Sequence, residues 1–443
     1  MTTLHDSTAF VGHEIAAEAM RTGELLVRRL ADPDLVAAAV RRSEAIADFQ
    51  FSWGGAGLYS GPAASALTFQ YAARAMPADA DRWQLLAREY LAKAVTSTHE
   101  IPLMTAGLAA GTAGLAAAVA VCAADEPRFG KALEALEAQL ATQVLASPSW
   151  RGENGVADSD YDVIVGAAGV LAYLADARSA EPLVAQATES VIADLTWLCT
   201  PVNGRRPWHI QPEQYPMEEY RDPYPNGYVN LGLAHGVPGV LAALSIAASA
   251  GHDQVRETVR AVADDLVDAA FHDDHGLNWA NGLPLTEAGA EDRTGTSPAR
   301  AAWCYGAPGI ACALLRAAVA LADDRLEAVA VEAFEAVLRR VGDHGRFGSA
   351  TLCHGAAGML AMTVMFARET GSEQARLAVE PLTAQLLSHC DETLPLGVQD
   401  LEQPGGALLD SPGLLSGSAG VALALWSAAG AIDPRWERAF LIS

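Results

Sequence analysis

The sequence predicts an all-α protein built as an α/α toroid, a ring of seven helix pairs. Three observations indicate this fold class: the composition, a recurring motif, and the alternation of two kinds of helical segment. Hydrophobic residues make up 51% of the 443 residues but aromatic residues only 7%, and Ala and Gly are abundant. Closely packed helices use small side chains, whereas sheets favour β-branched and aromatic ones. The composition therefore favours helices.

A G-x-x-G motif followed by a run of Ala, Leu and Val recurs along the chain. Six of the seven copies carry both glycines, and the first copy has Ala64 in place of the second glycine. The spacing of the first glycines ranges from 49 residues (Gly306 to Gly355) to 70 residues (Gly166 to Gly236), which suits a helix pair with variable loops. These first glycines are Gly61, Gly111, Gly166, Gly236, Gly306, Gly355 and Gly417.

Each motif predicts a tight turn that opens a buried inner helix. Pro238 and Pro308 fall just inside that start, where a missing N–H costs nothing. The runs that follow are apolar nearly all round, which predicts burial on every side. Amphipathic segments with charged faces, at 128–147, 253–271 and 324–341, alternate with them and are predicted to be outer helices. A ring of parallel inner helices would bring all seven turns to one rim.

The chain is predicted to have one main domain. We expect an N-terminal helical segment over residues 1–50 to pack on a single toroid over residues 51–443. Two long polar loops, 199–230 and 273–299, precede rim motifs and are predicted to shape a cleft, since long loops in compact folds are usually functional. The aromatic side chains predicted to contact an extended peptide there are Trp208, Tyr220, Tyr224 and Trp279.

The charge and the cysteines restrict the class of protein. The net charge is −25, from 29 basic and 54 acidic residues. The sequence lacks the stripe of basic residues that a nucleic-acid-binding protein normally shows. The start, MTTLHDSTAF, does not resemble a signal peptide, and the run at 105–124 is too rich in Ala and Gly for a convincing membrane span. We therefore expect a soluble, cytoplasmic protein whose six cysteines stay reduced, with a metal or catalysis rather than disulfides as the use of any non-structural cysteine. Cys312 lies two turns into its helix, and the other cysteines off the rim are Cys122, Cys199 and Cys390, so these four are expected to be core or incidental residues.

Two cysteines and two histidines occupy matching positions in the repeats. Cys304 and Cys353 each lie two residues before the first glycine of adjacent motifs, and His235 and His354 lie one residue before theirs. Cys304, Cys353 and His354 form a Cys₂His set for zinc, with the open fourth position that is typical of catalytic sites. His235 as a fourth ligand would instead make the site structural, and this alternative stays open. An open zinc site with two thiolates suits a thiol substrate.

The stretches WCYGAPG (303–309), LCHGAAG (352–358) and NLGLAHGVPG (230–239), with the sevenfold motif, resemble the lanthipeptide cyclases, the LanC family. The resemblance covers roughly residues 50–430. It implies an α/α toroid with one catalytic zinc ion bound by Cys304, Cys353 and His354.

The resemblance also implies a reaction, the intramolecular addition of peptide cysteine thiols to dehydroalanine or dehydrobutyrine, which forms lanthionine or methyllanthionine rings. It makes His235 the acid/base of this reaction, and Asp162, Arg300 and Tyr305 match family positions near the site. A carboxylate at 162 could orient the imidazole, or serve only as an acid at a helix start. A guanidinium at 300 could stabilise an enolate oxygen, or lie on the surface at a loop end. Tyr305 could simply fill the rim.

The implied partner is a dehydrated precursor peptide, and a complex with a dehydratase and a peptide exporter stays open. Three rival functions would share some of these features. The first is a LanC-like enzyme that adds a free thiol such as glutathione, which would use the same residues. The second is a protein prenyltransferase β-subunit, against which the paired Cys353 and His354 argue. The third is a peptide-binding scaffold, which would not need an open metal site.

Overall fold

The computed structural model describes residues 10–49, 51, 53–147, 150–151, 155–177, 179, 181–202, 204–294, 297–402 and 405–443. The predicted segment 1–50 thus includes residues outside this description. The α-helices of the described residues are α1 (His13–Leu30), α2 (Pro33–Ile46), α3 (Pro62–Ala75), α4 (Ala80–Ser97), α5 (Thr112–Asp125), α6 (Gly130–Ala146), α7 (Asp158–Tyr161), α8 (Ala167–Asp176), α9 (Pro182–Cys199), α10 (Val237–Ser249), α11 (Arg256–Asp268), α12 (Ala307–Leu321), α13 (Asp324–His344), α14 (Ala356–Glu369), α15 (Glu373–Leu387) and α16 (Ser418–Ala428).

The two predicted kinds of helix are both present. Each motif glycine directly precedes one of α3, α5, α8, α10, α12, α14 and α16. Helix α16 is buried along its whole length, as its uniformly apolar sequence predicts. The helices between them are amphipathic, and α11 buries Val259, Val262, Ala263 and Leu266, the i, i+3, i+4, i+7 stripe of a helix with one solvated face. The prediction of alternating inner and outer helices is confirmed.

The motif requires glycine because the turn folds back on itself. At Gly306 the backbone has φ 99° and ψ −177°, a conformation that is essentially restricted to glycine. A Cβ atom at Gly306 would lie 2.1 Å from the carbonyl oxygen of Arg300, and one at Gly309 would lie 2.5 Å from that of Trp303. Both glycines therefore let the chain reverse before α12 begins.

We expect Gly306→Ala to lower the free energy of unfolding by at least about 2 kcal/mol, since the new side chain meets both backbone strain and a steric clash. Urea denaturation would measure the change. Gly342→Ala is the control, because a Cβ atom there meets nothing within 4 Å in the outer helix α13, and it should stabilise the helix by about 0.5–1 kcal/mol. A Gly306→Ala protein as stable as the wild type would contradict this account of the turn.

The chain divides into two compact units. The first unit comprises Met1–Pro102, Ala118–Pro127 and His344–Glu437, and the second comprises Leu103–Ala117, Arg128–Asp343 and Arg438–Ser443.

In the second unit, successive turns hydrogen-bond to one another two or three residues before the motif glycine. The Ala109 amide donates to the Ile164 carbonyl at 2.9 Å, and the Ala234 amide donates to the Cys304 carbonyl at 3.2 Å. The Val163 amide donates to the Ala234 carbonyl at 3.0 Å. The inner helices that follow pack in the same order, α8 on α10 and α10 on α12. Residues equivalent in sequence are therefore neighbours in space within this unit.

The first unit repeats the pattern with its own turns. The Leu414 amide donates to the Tyr59 carbonyl at 2.8 Å, and the Cys353 amide donates to the Leu415 carbonyl at 3.1 Å. Helix α14 packs on α16 and α16 on α3. The N-terminal helix α1 also packs against α16, where Gly23 leaves room for the Trp426 ring. The described part of the N-terminal segment is thus attached to an inner helix.

Short strands stabilise the long loops. Strand β1 (Tyr228–Asn230) ends the first loop and pairs antiparallel with β4 (Gly282–Pro284) of the second, with Val229 opposite Leu283. Strands β2 (Phe271–Asp273) and β3 (Gly276–Asn278) form a hairpin, as do β5 (Asp400–Leu401) and β6 (Leu408–Leu409). The described parts of the two loops are therefore joined to each other through β1 and β4.

Among the described residues, no helix combines the length and the apolar character that crossing a bilayer requires.

Candidate active site and metal ligands

The second unit holds a histidine–carboxylate pair on neighbouring turns. His235 lies in the turn that opens α10, and Asp162 lies in the turn that opens α8. The His235 Nδ1 and Asp162 Oδ2 atoms are 2.7 Å apart. The Asp162 side chain is only 2% exposed, whereas that of His235 is 39% exposed. The pair therefore combines a buried, fixed carboxylate with an imidazole that remains accessible.

Asp162 has both of the roles that the sequence left as alternatives. Its Oδ1 atom accepts hydrogen bonds from the amides of Val165 and Gly166, both at 2.8 Å, and so stabilises the turn before α8. Its Oδ2 atom accepts the proton of His235 Nδ1. This hydrogen bond fixes the tautomer and orientation of the ring and leaves Nε2 as the nitrogen that can exchange a proton.

The charges around His235 make its imidazole a stronger base. Burial lowers the pKa of His235, but the hydrogen bond and charge of Asp162, with the charges of Asp158 and Cys304, raise it above the usual 6.5 in net effect. Asp158 is a buried carboxyl that the sequence analysis did not single out, and burial raises the pKa of Asp158. Its position four residues before Asp162, one helical turn away, could have identified Asp158 from the sequence as a neighbour of the site.

We expect Asp162→Asn to shift the pH profile of any reaction that uses His235. In the wild type, the part of the pH profile that depends on the titration of His235 should have its midpoint above pH 6.5. In the variant this midpoint should move to lower pH, because the Asp162 carboxylate no longer raises the pKa of His235 while burial still lowers it. The measurement is kcat/KM against pH. Asp160→Asn is the control, since this carboxylate accepts from the Ala157 amide instead of contacting His235. An unmoved limb in Asp162→Asn would contradict the assignment.

Arg300 and Cys304 are in contact in the same unit. The Arg300 Nη2 atom lies 3.4 Å from the Cys304 sulfur, and Cys304 is only 4% exposed. Arg300 is exposed, as expected for a surface arginine at a loop end. Its guanidinium nevertheless donates to this sulfur. A cation beside a cysteine sulfur favours negative charge on it, which suits a metal ligand.

A hydrogen bond fixes Tyr305. The Asn230 Nδ2 atom donates to the Tyr305 hydroxyl oxygen at 3.2 Å. Burial raises the pKa of Tyr305 well above its usual range, so this phenol is a poor proton donor to substrate. The ring packs over Gly232, where a Cβ atom would lie 2.7 Å from it. Asn230 was missed by the sequence analysis, although it begins the quoted NLGLAHGVPG stretch.

Cys353 and His354 belong to the first unit, in the turn before α14. The His354 Nε2 atom lies 3.2 Å from the Leu401 carbonyl oxygen and 3.3 Å from Asp400 Oδ1. A carbonyl and a carboxylate both accept, so Nε2 carries the proton and Nδ1 has the lone pair that a metal needs. This arrangement is typical of metal-binding histidines, whose second nitrogen usually donates to such an oxygen.

A different set of potential ligands shares His354. Within the described residues, His354, Asp400 and Glu402 each offer one donor atom within 4.8 Å of the others. However, Asp400 Oδ1 already accepts from the hydroxyls of Ser349 at 2.7 Å and Thr351 at 3.2 Å. An oxygen with these partners and the His354 proton is suited to orient the imidazole rather than to bind a metal directly.

The remaining cysteines resemble ordinary core residues. Cys122, Cys199 and Cys312 are at most 2% exposed. Burial raises the pKa of Cys122, Cys199 and Cys390 to about 12, which keeps these thiols protonated and unreactive. The burial of Cys122, Cys199 and Cys312 fits the prediction that they are core or incidental residues, while the zinc ligands stay a prediction.

The predicted aromatic contacts for a peptide are only partly supported. Trp208 is 2% exposed and Trp279 is fully buried, so the prediction is wrong for these two side chains. The Trp279 indole donates to the Leu266 carbonyl and anchors the loop to α11. Tyr220 and Tyr224 are partly exposed and line a cavity. The sequence alone could not distinguish the buried aromatic residues from those that line the cavity, because a large aromatic ring suits either a core or a binding surface.

Comparisons with known proteins identify the family and the fold. The sequence model of the family "Lanthionine synthetase C-like protein" matches residues 52–441. The nisin biosynthesis protein NisC of Lactococcus lactis subsp. lactis is 26% identical over 283 residues, which is 63% of this chain and 66% of that protein, just under two thirds of its length. A solved structure of nisin cyclase matches with a TM-score of 0.74 at 22% identity, over 94% of this chain and 97% of that one. The predicted fold class, the all-α toroid, is thereby confirmed.

Proposed function

The chain belongs to the lanthionine synthetase C-like family, and from this premise we propose that it is a lanthipeptide cyclase. The reaction is the intramolecular addition of a peptide cysteine thiol to dehydroalanine or dehydrobutyrine. Its products are lanthionine and methyllanthionine thioether rings. The observation that carries the proposal is the pair of His235 and Asp162 in the same unit as Cys304, because this addition requires a group that takes up and returns a proton.

We propose that Cys304, Cys353 and His354 bind one zinc ion per chain. Thiolate and imidazole are the donors that zinc prefers, and three protein ligands leave one position for substrate. The Nε2 contacts of His354 with Leu401 and Asp400 fit this role. Bound zinc supplies the positive charge that makes an incoming substrate thiol acidic enough to react near neutral pH.

His235 balances the protons of the reaction. The Nε2 atom accepts the proton of the substrate thiol, and the sulfur forms a bond to the β-carbon of the dehydroamino acid. The carbon–carbon double bond gives its electron pair to the α-carbon and the neighbouring carbonyl as an enolate. His235 then returns the proton to the α-carbon, so the ring closes without net gain or loss of atoms. The Asp162 carboxylate stabilises the imidazolium that forms between these steps.

Arg300 and Tyr305 support this chemistry in different ways. Arg300 holds its guanidinium at Cys304 and has further N–H groups that can donate to the enolate oxygen, where negative charge develops. Tyr305 acts as a positioning residue, since its hydroxyl already accepts a hydrogen bond from Asn230. The substrate is a dehydrated precursor peptide, and a dehydratase and an exporter are candidate partners. The six cysteines are thiols rather than disulfides, which suits the reducing cytoplasm.

The direct test is incubation of the purified protein with a peptide that contains dehydroalanine and cysteine. Cyclisation removes the free thiol, as shown by a thiol-alkylating reagent, and leaves the peptide mass unchanged. Addition of a free thiol would increase the mass when glutathione is present, and would support the rival LanC-like activity instead. A peptide that keeps both its thiol and its mass would contradict the proposed function.

A further inference from the structure

A cavity of about 490 Å³ lies within the second unit, beside the proposed catalytic residues. It is formed by the loop before β1, by the segment around Asn281, and by the turn that opens α12. Its lining residues are Glu219, Tyr220, Pro223, Tyr224, Tyr228, Asn281, Arg300 and Tyr305. Cavities that bind small molecules begin at roughly 300 Å³, so this one has room for a large side chain with its adjoining backbone.

Aromatic rings dominate the wall, and they already pack against one another. The rings of Tyr224 and Tyr228 are stacked, with centroids 4.6 Å apart and an interplanar angle of 17°. The Tyr220 ring contacts both, at 5.4 Å from Tyr228 and 6.1 Å from Tyr224. The Tyr215 hydroxyl donates to the Tyr224 carbonyl and supports the loop from behind. The cavity therefore offers an ordered aromatic surface that need not rearrange to bind.

The cavity is continuous with the site of the proposed reaction. Arg300 lines it and also contacts the Cys304 sulfur. Tyr305 lines it as well, and its ring centroid is 6.4 Å from that of His235. A side chain in this cavity would therefore belong to a substrate residue close in sequence to the one that reacts.

The lining carries one cation, Arg300, and one anion, Glu219, so on balance it attracts neither sign of charge. A charged side chain would lose hydration on entering and would meet one like charge there. A neutral, flat ring avoids this cost and can stack against the tyrosines in an offset or edge-to-face arrangement. We propose that this cavity binds a neutral aromatic side chain of the substrate peptide, next to the cysteine that forms the ring. The inference rests on the proposed cyclase function and specifies its substrate.

The test is a binding measurement with peptides that cannot react. Labelled peptides would carry Ser in place of the ring-forming Cys and Ala in place of the dehydroamino acid. Four such peptides would differ only in the residues on both sides of the Ser, which would be Phe, Leu, Lys or Glu. Fluorescence anisotropy gives each Kd. We expect the Phe peptide to bind roughly 2- to 13-fold more tightly than the Leu peptide, as aromatic pairing beyond simple burial allows, and the Lys and Glu peptides to bind more weakly than either.

Variants of Tyr224 connect this preference to the cavity. Tyr224→Ala should abolish the difference between Phe and Leu peptides, whereas Tyr224→Phe should keep it, since the ring and not its hydroxyl makes the contact. Met217→Ala is the matched control, because Met217 is exposed on the same loop but does not line the cavity. Circular dichroism would confirm that each variant is folded.

Several outcomes would overturn the inference. They are equal binding of all four peptides, tightest binding of the Lys or Glu peptide, absence of binding by every peptide, and a Phe preference that survives in Tyr224→Ala. The peptides cannot cyclise, so the result is separate from the test of the reaction. Cyclisation without an aromatic preference would support the proposed function and remove this inference. An aromatic preference without cyclisation would remove the proposed function and support binding of an aromatic side chain in the cavity.

Discussion

Replacing Cys353 by alanine is expected to remove zinc from the protein and to abolish cyclisation. Loss of one of three ligands leaves a site that cannot bind the metal tightly, and the substrate thiol then loses the charge that activates it. Metal analysis of the purified variant, with zinc reported per chain, is the primary measurement, and cyclisation of a dehydrated peptide is the second. Cys312→Ala is the matched control, because Cys312 is fully buried in α12 and should leave the zinc content unchanged.

Two further variants separate the proposed ligands from the neighbouring carboxylates. Asp400→Asn should weaken zinc binding by about 10- to 100-fold, the usual effect of losing a group that orients a metal ligand. Glu402→Gln should leave zinc in place. If Glu402→Gln lost zinc while Cys353→Ala kept it, the metal would be bound by His354, Asp400 and Glu402 instead. That result would remove the thiolate site from the mechanism.

Replacing His235 by asparagine is expected to keep zinc near the wild-type content and to slow ring closure by roughly 10²- to 10⁴-fold, the range for loss of a general acid or base. Asparagine can still donate to Asp162, so the turn should remain intact, but it cannot transfer a proton. Zinc content and cyclisation rate should be measured on the same preparation.

The control for this variant is His209→Asn. His209 also faces a carboxylate, at 3.4 Å from Glu291, but it lies in the long loop and has no assigned role. Both its zinc content and its rate should stay close to those of the wild type. Joint loss of metal and activity in His235→Asn would make His235 a fourth zinc ligand and the site structural. Unchanged metal and rate would mean that His235 only fills the rim.

The sequence by itself was enough to predict the helical repeats and the residue types of the site. Tight turns and buried helices depend on interactions between near neighbours, so a motif such as G-A-P-G at Gly306 reveals them directly. The matching positions of Cys304 and Cys353 followed from the same period. The position of His235 followed from that pattern as well. The family resemblance then supplied the acid/base role of His235 and added Asp162, Arg300 and Tyr305 as candidates, but not their contacts.

Only the tertiary structure decided which side chains act together. Asp162 and His235 are 73 residues apart in sequence, and Asn230 and Tyr305 are 75 apart. Such pairs depend on how one repeat packs against the next, and no local pattern specifies that packing. The same reason explains why Trp279 proved to be buried while Tyr220 and Tyr224 line the cavity. Ring size and apolarity are properties of the residue, whereas exposure is decided by the neighbours that folding brings to it.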